Sequence, residues 1–262
     1  MGNGASALTG HIYQHDYMAF CLLSSEAKRL LVEDASGCVS SFVVEGPTTH
    51  TGPTWDICFT LEDGSVHLLE CKNTAITRDD REVFYRRARK ELASGTSADQ
   101  LTVGWVTDAD KQRTAILDHL RGAAKLAAGD VDVDLQECPN QVNSPEDALC
   151  EALYFMCGSD DSGNDLPATS VSDARELLFR LAIEQYPHRD LVESVKLLAT
   201  GVFSTGTGEA IHTYIVGEFA KRISRDGQAA YDREGFLAAI RIGTITLAAT
   251  DAFKDILSFH SA

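Results

Sequence analysis

The segment VHLLECK (66–72) places an acid, Glu70, and a base, Lys72, two residues apart on a β-prone run. Side chains alternate along a strand, so both fall on one face. A second acid, Asp56, lies upstream in WDICFTL (55–61), with thirteen residues between it and Glu70. Between the two runs, EDGS reads as a turn that brings the chain back. A two-residue turn at Asp63-Gly64 would set Asp56 opposite Cys71. A three-residue loop, Glu62-Asp63-Gly64, sets it opposite Glu70 and needs a positive φ at its third residue, which glycine supplies. A bulge near Asp56 would give the same parity. Neighbouring carboxylates repel unless a cation joins them. An oxygen-only donor set suits Mg²⁺, with Mn²⁺ as its substitute. Asp56, Glu70 and the carbonyl of Cys71 would supply the shell. Lys72 would orient or help deprotonate a water, or neutralise charge on a phosphate. The chemistry that such a set serves is phosphodiester hydrolysis. The bland alternative is a surface ion pair between Glu70 and Lys72, with Asp56 capping a turn.

The elements needed to bring these groups together are legible as hydrophobic patterns. HIYQHDYMAFCLLSSEAKRLLVE (11–33) has helical spacing, with Thr9 as the expected N-cap. VSSFVVE (39–45) is a short β-prone run, GPTTHTGPT (46–54) a loop, and WDICFTL and VHLLEC the two arms of a hairpin. A helix over 80–95, a buried strand LTVGWVT (101–107), a helix over 110–129 and a short strand over 131–136 follow. The spacing then predicts helices at 145–157, 172–186, 189–200, 209–224, 232–242 and 245–258. The expected fold class is α/β: an αβββαβ core with a mixed central sheet over residues 1–139, followed by an α-helical region, 140–262. Tyr85 and Trp105 are expected in the core, and FSTGTGEAIH (203–212) is read as a loop with a helix cap, since no GxxxxGK[ST] follows.

Charge is distributed unevenly. The net value of −16 argues against a nucleic-acid partner if only the sum is considered. Yet from Lys72 to Lys90 there are seven basic residues against three acids, whereas from Asp130 to Asp165 there are ten acids and no Lys or Arg. Arg78, Arg81, Arg86, Arg87 and Arg89 are therefore candidates for phosphate contact. The competing reading pairs them with Asp79, Asp80, Glu82 and Glu91 on a helix surface. The cysteine count of seven is odd and contains no CxxC, which fits a reducing cytoplasm better than a disulfide scaffold. No apolar run reaches the length needed to cross a bilayer, and no His–Cys cluster suggests a structural zinc.

Asp56 followed by Glu70-Cys71-Lys72 resembles the bipartite motif of the PD-(D/E)XK nuclease superfamily, and the expected αβββαβ order is that superfamily's core. The resemblance covers roughly residues 5–135. It implies that Asp56 and Glu70 are the metal-binding acids and Lys72 the catalytic lysine. The usual proline before the first acid is replaced by Trp55, and Pro53 stands further upstream. The opening GASALTGHIYQHDYMAFCLL is similar to one branch, the double-stranded-DNA endonuclease domains of bacterial antiphage effectors in CBASS, Lamassu and Avs-type systems. That similarity implies a site contact for Gln14 in the Tyr-Gln helix, and Glu45 is a further candidate acid.

The implied function is a Mg²⁺-dependent endonuclease acting on double-stranded DNA, as the effector of a defence system in the cytoplasm. Restraint of such an enzyme implies partners: a homo-oligomer, or a sensor or ATPase subunit or domain, with residues 140–262 as the expected assembly region. Two rivals stand beside this reading. One is a non-catalytic assembly or adaptor module that keeps the fold. The other is an RNase of the same superfamily.

Overall fold

The computed structural model describes residues 3–31, 37–47, 54–110, 114–129, 131–133, 135, 137–158, 169–203 and 206–241. Its elements run α1 (Asn3–Leu31), β1 (Val39–Pro47), β2 (Thr54–Leu61), β3 (Val66–Lys72), α2 (Arg78–Ala93), β4 (Leu101–Asp108), α3 (Thr114–Ala127), α4 (Pro145–Cys157), α5 (Val171–Phe179), β5 (Ala182–Tyr186), α6 (His188–Val202), α7 (Gly208–Asp226) and β6 (Ala229–Asp232). Residues 233–241 are again helical. The strands form an open mixed sheet in the order β5-β4-β3-β2-β1-β6, so the chain is α/β.

Two compact units divide it, and they interleave along the sequence. The first holds Met1–Glu45, Phe59–Asp63 and Pro187–Ala262; the second holds Gly46–Cys58 and Gly64–Tyr186. The sequence-based boundary at 139/140 therefore falls inside the second unit. Removing 140–262 would strip α4, α5 and β5 from one unit and α6, α7 and β6 from the other.

In the second unit β3 and β4 are parallel, with Glu70 beside Trp105 and Lys72 beside Thr107. The helix α2 makes the crossover that a parallel pair requires. Its N-terminus is fixed by a capping box: the Thr77 side chain accepts from the Asp80 N–H, and the Asp80 side chain accepts from the Thr77 N–H. Phe84 of α2 stacks on Trp105 with ring centroids 4.5 Å apart and meets Trp55 edge-on at 5.6 Å. These three rings, with Tyr85, are the buried centre that holds α2 against the strands. β4 also pairs in parallel with β5. Gly104 permits that approach, because a Cβ there would lie 2.7 Å from the Ala182 carbonyl oxygen.

In the first unit β6 pairs antiparallel with β1, Phe42 beside Tyr231. Phe42, Phe219, Tyr231 and Phe236 form one aromatic cluster with centroid separations from 5.3 to 6.5 Å. The helix α1 packs on α6 and α7.

Several sequence expectations need correction. The helix α1 begins at Asn3, so Thr9 is interior rather than an N-cap. The helix expected over 172–186 stops at Phe179, with the backbone N–H of Arg180 closing it onto Leu177 and Leu178, and Ala182–Tyr186 becomes β5. The α-helical second half thus contains two strands, because pairing with β4 and with β1 overrides local preference. The short strand expected over 131–136 is not formed at residues 131–133. The predicted helix over 245–258 lies outside the described residues, as does Pro53. Among the described residues no helix is long and apolar enough to cross a membrane, and no disulfide joins the cysteines there.

Candidate metal-dependent active site

Asp56 on β2 and Glu70 on β3 both belong to the second unit, and the two strands are neighbours in the sheet. Four residues, Glu62 to Ser65, separate the two strands, and Gly64 has φ +84°. Asp56 Oδ2 accepts a hydrogen bond from the backbone N–H of Cys71 at 2.8 Å. That bond ties the side chain on β2 to the position between Glu70 and Lys72. Glu70 is buried, and its side chain meets the Arg87 guanidinium of α2 directly. Lys72 Nζ lies 2.8 Å from Asp80 Oδ1.

The electrostatics follow from this packing. Burial, and then the Asp56 charge beside it, push the Glu70 carboxyl up to about 8, although Arg87 and Lys72 pull the other way. Cys58 is held protonated by the same environment: burial first, then the Glu91, Glu70 and Asp56 carboxylates. Burial works against ionisation of Asp80, but hydrogen bonds from Lys72 and Thr77 outweigh it and hold that carboxyl below its ordinary value.

Among the described residues no three His, Cys, Asp or Glu side chains gather so as to hold a metal by themselves. The donor set here has two carboxylates, Asp56 and Glu70. A hard divalent cation takes such a pair and completes its shell with backbone oxygen, water and substrate oxygens. Burial first and the Asp56 charge second disfavour ionised Glu70, and a cation placed between the two acids would offset both.

The remaining sequence candidates are placed as follows. Arg87 contacts Glu70 and Arg78 is exposed, its guanidinium 3.4 Å from the Cys138 sulfur. Arg86 pairs with Glu82 one turn away and lies over the Phe155 ring. Arg81 and Arg89, expected to reach phosphate, are instead turned inward. Arg81 is buried with two bonds to Glu151, at 2.6 and 3.0 Å, and Arg89 donates to the Gly158 carbonyl at 2.8 Å. Gln14 and Glu45 belong to the first unit. Gln14 is buried on α1, and Glu45 has φ +53° and pairs with His11.

Sequence reasoning missed two sets of residues. Asp80 meets Lys72 through the Thr77-x-x-Asp80 pattern, a helix-start signature that was readable in the sequence. In the first unit the buried Asp16 bridges two histidines, His188 Nε2 and His212 Nε2, each at 2.6 Å. These partners come from helices more than 170 residues away in sequence, so no local signal could link them. Beside Asp16, His15 is buried with Nε2 lacking a hydrogen bond, and burial, then His11, lower it to about 4.

No protein-family model matches the chain, and no curated protein matches it. Among solved structures it is similar to a Moraxella osloensis Cap4 SAVED/CARF-domain containing receptor, at 15% identity and a TM-score of 0.44. The match covers 88% of this chain and 47% of that one, so the chain spans about half the length of the receptor.

Proposed function

We propose that the second unit carries a divalent-metal-dependent phosphodiesterase site, with Asp56 and Glu70 as the metal-holding acids and Lys72 as the cation beside the phosphate. The observation that supports it most is the pair of acids at the β2–β3 hairpin, one of them raised to about 8 by burial and by the other. When bound, a Mg²⁺ or Mn²⁺ ion would neutralise charge on the phosphate and ease ionisation of water. Asp56 is oriented by the Cys71 N–H, and Lys72 supplies positive charge where the phosphate gains negative charge. The reaction consumes one water. Its oxygen bonds to phosphorus, the bond from phosphorus to the leaving sugar oxygen breaks, and the water protons pass to solvent and to that leaving oxygen.

Resemblance of the motif and of the Tyr-Gln segment extends the proposal to double-stranded DNA as substrate and to an effector role in bacterial antiphage defence. The same resemblance supports restraint through self-assembly or a sensor or ATPase partner. Arg78, exposed near the start of α2, is the arginine best disposed for phosphate. One observation favours the non-catalytic rival: Glu70 and Lys72 each already have a partner of opposite charge, Arg87 and Asp80.

The deciding experiment incubates the chain with plasmid DNA and with RNA, in Mg²⁺, Mn²⁺ or EDTA, beside Asp56→Ala and Lys72→Ala. Metal-dependent cleavage that falls on the order of 100-fold or more in both variants is expected. Calorimetric Mn²⁺ binding, weakened by Asp56→Ala, is expected alongside it. A chain that neither cleaves nor binds the ion is the non-catalytic module, and cleavage of RNA alone reassigns the substrate.

A further inference from the structure

We infer that Asp80 is a positioning residue for Lys72, holding its ammonium in a fixed place at the end of β3. The inference rests on the nuclease reading for its functional meaning, but its geometry stands on the contacts of α2. The Asp80 carboxylate is used at both oxygens. Oδ1 takes the Lys72 ammonium at 2.8 Å. Oδ2 accepts from the Thr77 backbone N–H at 2.9 Å and from the Thr77 hydroxyl at 2.7 Å. The hydroxyl in turn accepts from the Asp80 backbone N–H at 3.2 Å. Asp80 is therefore locked into the first turn of a helix whose buried face is anchored by Phe84 and Tyr85. It is not a freely rotating surface acid.

The difference from an ordinary pair along one helix is one of stiffness. In Arg86–Glu82 both partners are long side chains on one helix surface, and neither is anchored by a cap. A lysine has a four-carbon stem and about 2 kcal/mol of rotamer entropy to lose when its head is fixed. A one-methylene acid pinned by the Thr77 N–H and hydroxyl supplies that fixing before any substrate arrives. Lys72 is thereby presented as a cation and donor within two residues of Glu70, the place at which a phosphate would gain charge. The Thr77–Asp80 box thus has two roles: it starts α2, and it sets the catalytic cation relative to the acids.

The test uses the full chain with Mg²⁺ and plasmid DNA, comparing Asp80→Asn, Asp80→Glu and Lys72→Arg with the unaltered protein. Asp80→Asn keeps an oxygen for the Thr77 N–H but loses the charge that holds Lys72. Its kcat is expected to fall on the order of 10- to 100-fold, the scale set by a misplaced catalytic group, with KM for DNA within about twofold, the pattern that removal of ground-state binding would not give. Asp80→Glu is expected to recover part of the loss. A wild-type kcat in Asp80→Asn, or a loss carried by KM alone, overturns the inference. A second readout does not depend on cleavage. In protein labelled with ¹⁵N-lysine, the Lys72 ammonium, assigned by its disappearance in Lys72→Arg, should give a slowly exchanging signal that is lost in Asp80→Asn. An identical signal in Asp80→Asn overturns the positioning role. If the unaltered chain cleaves nothing, the nuclease reading fails by itself and this signal still decides whether Asp80 holds Lys72.

Discussion

Three buried acids of this chain meet burial in different ways. In the first unit Asp16, 1% exposed, is bonded to His188 and His212. In the second unit Glu151, fully buried, is clasped by both Nε and Nη2 of Arg81. Glu70, 7% exposed, has Arg87 on one side but another acid, Asp56, near enough to raise it. Two of the acids are surrounded by donors, and the third is set beside an acid. Donors around a buried carboxylate make it part of the fold. A second carboxylate beside it leaves an arrangement that a cation would complete. The contrast sets Glu70 apart from the other two acids, which the count of basic residues does not do.

The contrast breaks most visibly at Glu151. Truncation to alanine leaves the Arg81 guanidinium buried without its partner, and the expected cost is about 3–5 kcal/mol. Urea unfolding measures it. A cost below about 1 kcal/mol would mean that Arg81 finds another acceptor or water, and that this pair is not structural. Glu70→Gln makes the matching comparison. It removes repulsion from Asp56, and Arg87 is exposed enough to regain water, so metal-free stability at about pH 8 should hold or rise while metal-dependent cleavage is lost. A large loss of stability in Glu70→Gln would place Glu70 with the structural acids.

Asp16 should rank next. Asp16→Ala removes the acceptor for two imidazoles at once, and about 2–4 kcal/mol is expected from two lost bonds in a buried setting. Asp16→Asn, which keeps one acceptor oxygen, should cost less. Equal costs for the two variants would show that the charge, rather than the bonding, is what α6 and α7 rely on.

What could be read in the sequence divides along the same line. The hairpin and the positive φ at Gly64 were legible because alternation and turn chemistry are local, although four residues rather than three separate the strands. The start of α2 was placed at 80 rather than at Arg78, since the Thr77-x-x-Asp80 signature was passed over, and the link from Asp80 to Lys72 is not a property of either segment alone. β5 was read as helix because AIEQY follows a helical run without a break, and its identity comes from pairing with Gly104–Asp108 of β4. Arg81 looked like a phosphate contact because its partner, Glu151, lies seventy residues away. The unit boundaries were illegible for a similar reason, since each unit is assembled from separated stretches of chain.

A smaller effect is expected from pH in the absence of divalent metal. Glu70 is raised in the fold from the ordinary glutamate value of 4.5 to about 8 by burial and by Asp56. Between those values the unfolded chain has released the proton and the folded chain retains it. Stability from this group is therefore complete below 4.5 and is lost as pH rises toward 8. The slope over that window is at most about 1.4 kcal/mol per pH unit, so about 1 kcal/mol should go between about pH 7 and pH 8. Glu70→Gln should flatten this slope, and added Mg²⁺ should reverse it by favouring the ionised acid. A slope unchanged by Glu70→Gln would assign the pH dependence to other groups.

The least costly change separates the hairpin from the site that it carries. Gly64 sits at φ +84°, and a Cβ there would meet nothing within 4 Å. Gly64→Ala therefore costs only backbone strain, about 1 kcal/mol. Asp56 is tied to the Cys71 N–H near the far end of the hairpin, so its relation to Glu70 should survive the strained turn. Chemical denaturation should record the small loss, while the pH slope from Glu70 and the metal dependence stay as in the unaltered chain. If Gly64→Ala instead abolished both, the turn would be setting the register that brings the two acids together, and the bond from Asp56 to the Cys71 backbone would not suffice to hold the site.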